Sequence, residues 1–174
     1  MTTHPKKIGV LGIGNLLLGD EGFGVHVIRY LENHWLFPEQ VLLLDGGTAG
    51  IYMAPFLEEV DRLLVVDVVA GGGPPGAICL FSGDELRGAN VQLRMSPHQL
   101  GLLEVLEICR LRDRAPAEVQ FIGVVPAAIE TGMELSALVA DRVVEVAALV
   151  LSALEEEGIH ARNISGAGAA AAAC

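Results

Sequence analysis

The sequence predicts an α/β domain, with helices on both faces of a mostly parallel sheet. Three features carry that reading. Short apolar runs alternate with longer amphipathic stretches along the chain. Two of the runs, residues 8–13 and 63–69, are almost continuously apolar, the pattern of strands covered on both faces. A glycine-rich turn carries the chain from the first of these runs into the first amphipathic stretch.

The first strand is residues 8–13. The first helix is 22–34, where Phe23, Val27 and Leu31 recur on one face and Arg29 and Glu32 fall outside it. Residues 41–44 form the second strand, which closes on Asp45-Gly46-Gly47-Thr48-Ala49-Gly50, and a short helix follows over about 51–58. The third strand, 63–69, holds Asp67 inside an otherwise apolar run. Gly71 to Gly76 is a loop of glycines and prolines, and 77–81 is a shorter fourth strand. Residues 82–93 are polar and irregular, with a helical turn at 84–86. Ser96 is a good N-cap and Pro97 suits the first position of a third helix, which runs to about Arg110. Residues 118–125 are the fifth strand, stopped by Pro126. A long amphipathic helix spans 135–157 and stops at Gly158. The domain is 1–160, and 161–174 is a low-complexity tail with no assigned role.

A chain of 174 residues, 52% hydrophobic, is long and apolar enough for one packed core and unlike a disordered chain. Eleven basic against 22 acidic residues give a net charge of −11, which argues against nucleic-acid or anionic-membrane partners. Cys79, Cys109 and Cys174 form no CxxC pair, so a reducing, cytoplasmic setting is expected, with Cys79 and Cys109 as buried thiols. Lys6-Lys7 and the following apolar run mimic a signal peptide. Asn15 interrupts that run, Asp20-Glu21 follow it, and no stretch reaches the ~18–20 apolar residues of a membrane span.

The turn between first strand and first helix reads Gly12-Ile13-Gly14-Asn15-Leu16-Leu17-Leu18-Gly19-Asp20-Glu21-Gly22-Phe23-Gly24. Its plainer reading is that Asp20 caps the helix and Glu21 complements the helix dipole. A second reading starts from topology. Parallel sheets bind ligands beyond the carboxyl ends of their strands. Glu21 follows the first strand, and Asp67 lies near the end of the third. His98, in the first turn of the third helix, reaches the same rim if the fourth strand runs antiparallel. Near a helix N-terminus His98 is pushed toward the neutral form that ligates metals. Two carboxylates and an imidazole leave coordination positions open for substrate and suit nickel, zinc or a similar ion. Asp45 belongs to the rim as well, although turn geometry is its first explanation. His4, His26, His34 and His160 have no such placement and read as solvent-facing or incidental.

A dinucleotide fold is the competing reading, since Gly12-x-Gly14 follows a strand and Asp45 ends the next. The third glycine of that fingerprint would fall at Leu17, and Asp20 and Glu21 would repel a pyrophosphate. HExxH, GxSxG and GxxxxGK[ST] are not found in the sequence.

The motifs resemble those of the endopeptidases that mature the large subunit of nickel–iron hydrogenases. The matching stretches are Gly12 to Gly22, Leu44-Asp45-Gly46-Gly47-Thr48-Ala49-Gly50, Val65-Val66-Asp67, Ser96-Pro97-His98-Gln99-Leu100-Gly101-Leu102 and Gly123-Val124-Val125-Pro126. The resemblance implies a three-layer α/β/α sandwich around a five-stranded mixed sheet, order 2-1-3-5-4, with strand 4 antiparallel. It implies that Glu21, Asp67 and His98 contact metal. It also implies removal of a short C-terminal extension from the large-subunit precursor, with nickel carried by that substrate and no organic cofactor. The two classes separate in a calorimeter. NAD(H), NADP(H) and FAD should show no specific binding, whereas a micromolar dinucleotide affinity abolished by a bulky residue at Gly14 would overturn the peptidase reading.

Overall fold

The computed structural model describes residues 5–71, 73–87 and 97–164, the side chains of 86–87 and 97–99 excepted. In chain order the elements are β1 (Ile8–Ile13), α1 (Phe23–His34), β2 (Trp35–Leu36), β3 (Val41–Gly47), α2 (Ala54–Leu57), β4 (Arg62–Val68), β5 (Ile78–Ser82), α3 (Gly83–Arg87), α4 (Pro97–Leu111), β6 (Glu118–Val124), α5 (Ala137–Ala140), α6 (Arg142–Glu156) and β7 (Arg162–Asn163). The main sheet has the order β3-β1-β4-β6-β5. Its strands are parallel except β5, which runs antiparallel to β6. This is the order and the reversal that the resemblance implies. The small β2–β7 pair, Trp35 opposite Asn163, stands apart from the main sheet and was not foreseen.

Alternation along each strand sends side chains into two cores. Ile8 and Val10 of β1, Leu64, Val66 and Val68 of β4, and Ile122 and Val124 of β6 pack with α1 and α6. Leu11 and Ile13, Leu63 and Val65, and Phe121 pack on the other face with α2 and α4. Both faces of β1 and β4 are therefore dry, which is why these strands read as continuous apolar runs. Each fully buried Leu, Ile or Phe contributes about 1.5–3 kcal/mol by leaving water.

Three sequence expectations need correction. The helix expected over 135–157 begins later, because Ser136 is extended, at φ −57° and ψ 149°, and it comes in two pieces that divide at Asp141. Asp20 caps no helix: neither the 3-10 turn Gly19–Gly22 nor α1 has a side-chain cap. Cys109 is buried, but Cys79 on the edge strand β5 is only partly so. The expected N-cap Ser96 and the tail beyond residue 164 lie outside the described residues.

At the N-terminal edge of the sheet a polar cluster joins both chain halves. Glu157, just after α6, accepts from Lys6 Nζ at 3.1 Å and from Arg62 Nη1 at 2.5 Å, and Arg62 also donates to Gln120 at 2.9 Å. Hydrogen bonds from Lys6 and then Arg62 hold the Glu157 carboxyl below its ordinary value. A lowered carboxyl stabilises the fold above its unfolded pKa, and that stabilisation is lost as acid protonates it. Glu157→Gln should therefore cost ~0.5–1 kcal/mol at neutral pH, the range for a partly exposed ion pair. The difference from wild type should shrink below about pH 4.3, the unfolded value for Glu, in urea titrations run across pH.

Candidate active site

The carboxyl ends of β1, β4 and β6 meet the turn 14–22 at one rim. Three glycines set that geometry. A Cβ on Gly24, in the first turn of α1, would overlap the backbone oxygens of Val66 and Ile13. A Cβ on Gly12 would overlap the Gly24 carbonyl and come within 2.5 Å of Ile28 Cγ1. Gly14 sits at φ +140°, and a Cβ there would overlap the Glu21 carbonyl. Helix α1 thus lies directly on the ends of β1 and β4, and Glu21, one turn before Gly24, is carried to the strand end that holds Asp67.

Among the described residues the buried polar or charged side chains are Asp20, Glu21 and Asp67, at 1%, 8% and 1% exposure. All three are acids and all lie at this rim. Burying a carboxylate is costly without donors or a cation. Asp20 has four such donors. Its Oδ2 accepts from the Ala127 N–H at 2.8 Å, the Ala128 N–H at 3.1 Å and the Ser136 hydroxyl at 2.9 Å, and its Oδ1 accepts from the Ser136 N–H at 2.7 Å. Burial pushes the Asp20 carboxyl up, but the bonds from Ser136, Ala128 and Ala127 outweigh it and hold the group below its ordinary value.

Asp67 pairs in register with Gly123 of β6. By strand alternation it shares a face with Leu63 and Val65, which pack among Leu102, Val105 and Leu106 of α4. The last turn of α4 is near the opposite edge: Arg112 meets Glu58 at 2.6 Å, and the Ala117 N–H bonds the carbonyl of Asp61, just before β4. Fifteen helical residues span about 22 Å, the length of a seven-residue strand. The start of α4, with His98 in its first turn, is therefore at the rim and on the Asp67 face. The His98 side chain lies outside the described residues, which among themselves hold no metal-binding group of three His, Cys, Asp or Glu.

Asp45 ends up on the surface, in an ion pair with Arg29 at 3.2 Å. His26, expected to be solvent-facing or incidental, is partly buried beside Met133. Burial and the Arg29 charge lower its pKa. Sequence reasoning missed Asp20 as an anchor, together with Ser136 and the 127–136 segment. Their partners lie 107 to 116 positions apart, beyond any local pattern.

Fold and rim define a doubly wound α/β chain that presents carboxylates where such sheets bind ligands. The family model described as "Hydrogenase maturation protease" matches residues 25–153. The "Hydrogenase expression/formation protein HupD" of Bradyrhizobium diazoefficiens is 37% identical over 159 residues, 91% of this chain and 83% of that one. The "Hydrogenase 2 maturation protease" of Escherichia coli is 35% identical over 156 residues, 89% and 94% of the two chains. The solved structure of the maturating endopeptidase HybD from E. coli matches with a TM-score of 0.83 at 33% identity, over 91% of this chain and 98% of that one. The chain belongs to the hydrogenase maturation protease family.

Position 24 tests the geometry of the rim. Gly24→Ala should cost about 3 kcal/mol, the upper part of the range for overpacking, because backbone atoms of two strands must move. A urea melt should show a lower midpoint at unchanged slope.

Proposed function

We propose that this chain is the endopeptidase that removes a short C-terminal extension from the nickel-loaded precursor of a nickel–iron hydrogenase large subunit, with Glu21, Asp67 and His98 contacting the metal. The observation that carries this reading is the pair of buried acids, Glu21 and Asp67, at one rim of a hydrogenase maturation protease fold. The start of α4 at that rim supports His98 as the third member. Nickel enters with the substrate, already held by ligands of the precursor. The enzyme then completes the coordination and sets the peptide in place, which removes much of the entropic cost of reaction. A metal held by these residues would orient the cleavage region, polarise the scissile carbonyl or activate the attacking water. Water's oxygen adds to the carbonyl carbon, the C–N bond breaks, and a proton passes to the departing amine. Three ligands on an open rim make a weak site alone, so the free enzyme should purify with substoichiometric metal and stay folded after chelation. The sparse cysteines support a cytoplasmic setting. Among the described residues no helix is long and apolar enough to cross a membrane.

Two assays test the proposal. Glu21→Gln and His98→Gln should each lose at least ~100-fold in processing, the scale of removing a transition-state contact, while melting within a few degrees of wild type. Metal-free enzyme should cut nickel-loaded precursor and spare nickel-free precursor, with product masses read by mass spectrometry. Efficient cleavage of the nickel-free form would sink the substrate-borne metal.

A further inference from the structure

We infer that Asp20 is a positioning residue: its carboxylate holds residues 127–136 as one wall of the substrate-binding rim. The inference rests on the reading that this rim is where the precursor is cut.

The chain leaves β6 after Val124 and enters α5 at Ala137. Between them, residues 127–134 are exposed, so burial does little to hold them. What holds them is a set of polar ties. Asp20 binds both feet of the excursion, through the N–H groups of Ala127 and Ala128 on one side and Ser136 on the other. At its middle, the Gly19 N–H bonds the Gly132 carbonyl at 2.8 Å, and the Gly132 N–H bonds the Leu17 carbonyl at 3.0 Å. With a single bridge, Leu18 to Gly132, for regular pairing, the segment takes its shape chiefly from Asp20.

Its place makes it a wall. It emerges from β6, the strand whose Gly123 stands opposite Asp67, and it is tied to the residue preceding Glu21. It therefore borders the turn that carries Glu21. Ile129 and Met133 are exposed on it, with Leu17 exposed on the strip it pairs with. An extended peptide bearing apolar side chains, lying toward Glu21, would run against this surface.

The position of Glu21 has a separate origin, since Gly14 and Gly24 lock its turn to β1 and β4. Removing the Asp20 carboxylate loosens the wall and leaves Glu21 in place. Each substrate molecule must then order the segment as it binds, and that loss falls on KM.

The test is steady-state processing of nickel-loaded precursor by wild type, Asp20→Asn, Ser136→Ala and Ser136→Thr, with amide exchange measured on the free enzymes. Asp20→Asn should raise KM about tenfold with kcat within about threefold of wild type. Ser136→Ala loses one of four bonds and should raise KM about threefold, and Ser136→Thr, which keeps the hydroxyl, should restore it. Amides at 127, 128, 132 and 136 should exchange faster in Asp20→Asn, while those at 12–14 do not. A folded Asp20→Asn with unchanged KM, or with lowered kcat at unchanged KM, overturns the inference. If Asp20→Asn fails to fold, an unchanged KM in Ser136→Ala does so. A wild-type enzyme that leaves the precursor whole overturns the cleavage reading and the wall together, while the exchange contrast shows separately whether the clamp exists.

Discussion

The absence of a side chain at position 24 is the constraint on which the rest of the rim depends. Only a glycine lets the start of α1 lie against backbone oxygens from two adjacent strands, Ile13 of β1 and Val66 of β4. With Gly12 opposite, the helix axis is drawn close to the sheet over its first turn. Burial of Phe23, Val27, Ile28 and Leu31 against the strands follows from that approach. So does the placement of Glu21, which arrives at the strand end beside Asp67 rather than several ångströms out in solvent.

Polar chemistry is divided between the two edges of the sheet. At the N-terminal edge Lys6, Arg62, Glu118 and Glu157 compensate one another in partly exposed ion pairs, an arrangement that ties chain segments together at modest gain. At the carboxyl edge, among the described residues, the buried polar side chains are all acids. Asp20 is satisfied by backbone N–H groups and the Ser136 hydroxyl, neutral donors that leave its charge in place.

Much of this was legible in the sequence, for reasons specific to each element. The strands β1 and β4 announced themselves because both of their faces are dry. Glu21 and Asp67 stood out because an acid after one apolar run and another inside a second need a purpose. The strand order and the reversal of β5 could not be read from periodicity and came from the family resemblance. The β2–β7 pair is two residues long, too short to show a period. The helix start near Ser136 was misplaced because that residue's backbone is set by a carboxylate 116 positions away. His26 was read as solvent-facing or incidental because its neighbour, Met133, comes from the far half of the chain.

Both feet of the 127–136 excursion stand on a single side chain, and this gives the segment a kind of modularity. Its anchor points belong to the scaffold, while the residues between them carry little of the core. Lengthening such an arc costs only the slow logarithmic rise of loop-closure entropy. Sequence can therefore drift within it while the buried carboxylates stay where they are. A lineage could retune which partner it accepts by exchanging this short cassette, keeping the hydrolytic chemistry and the fold unchanged.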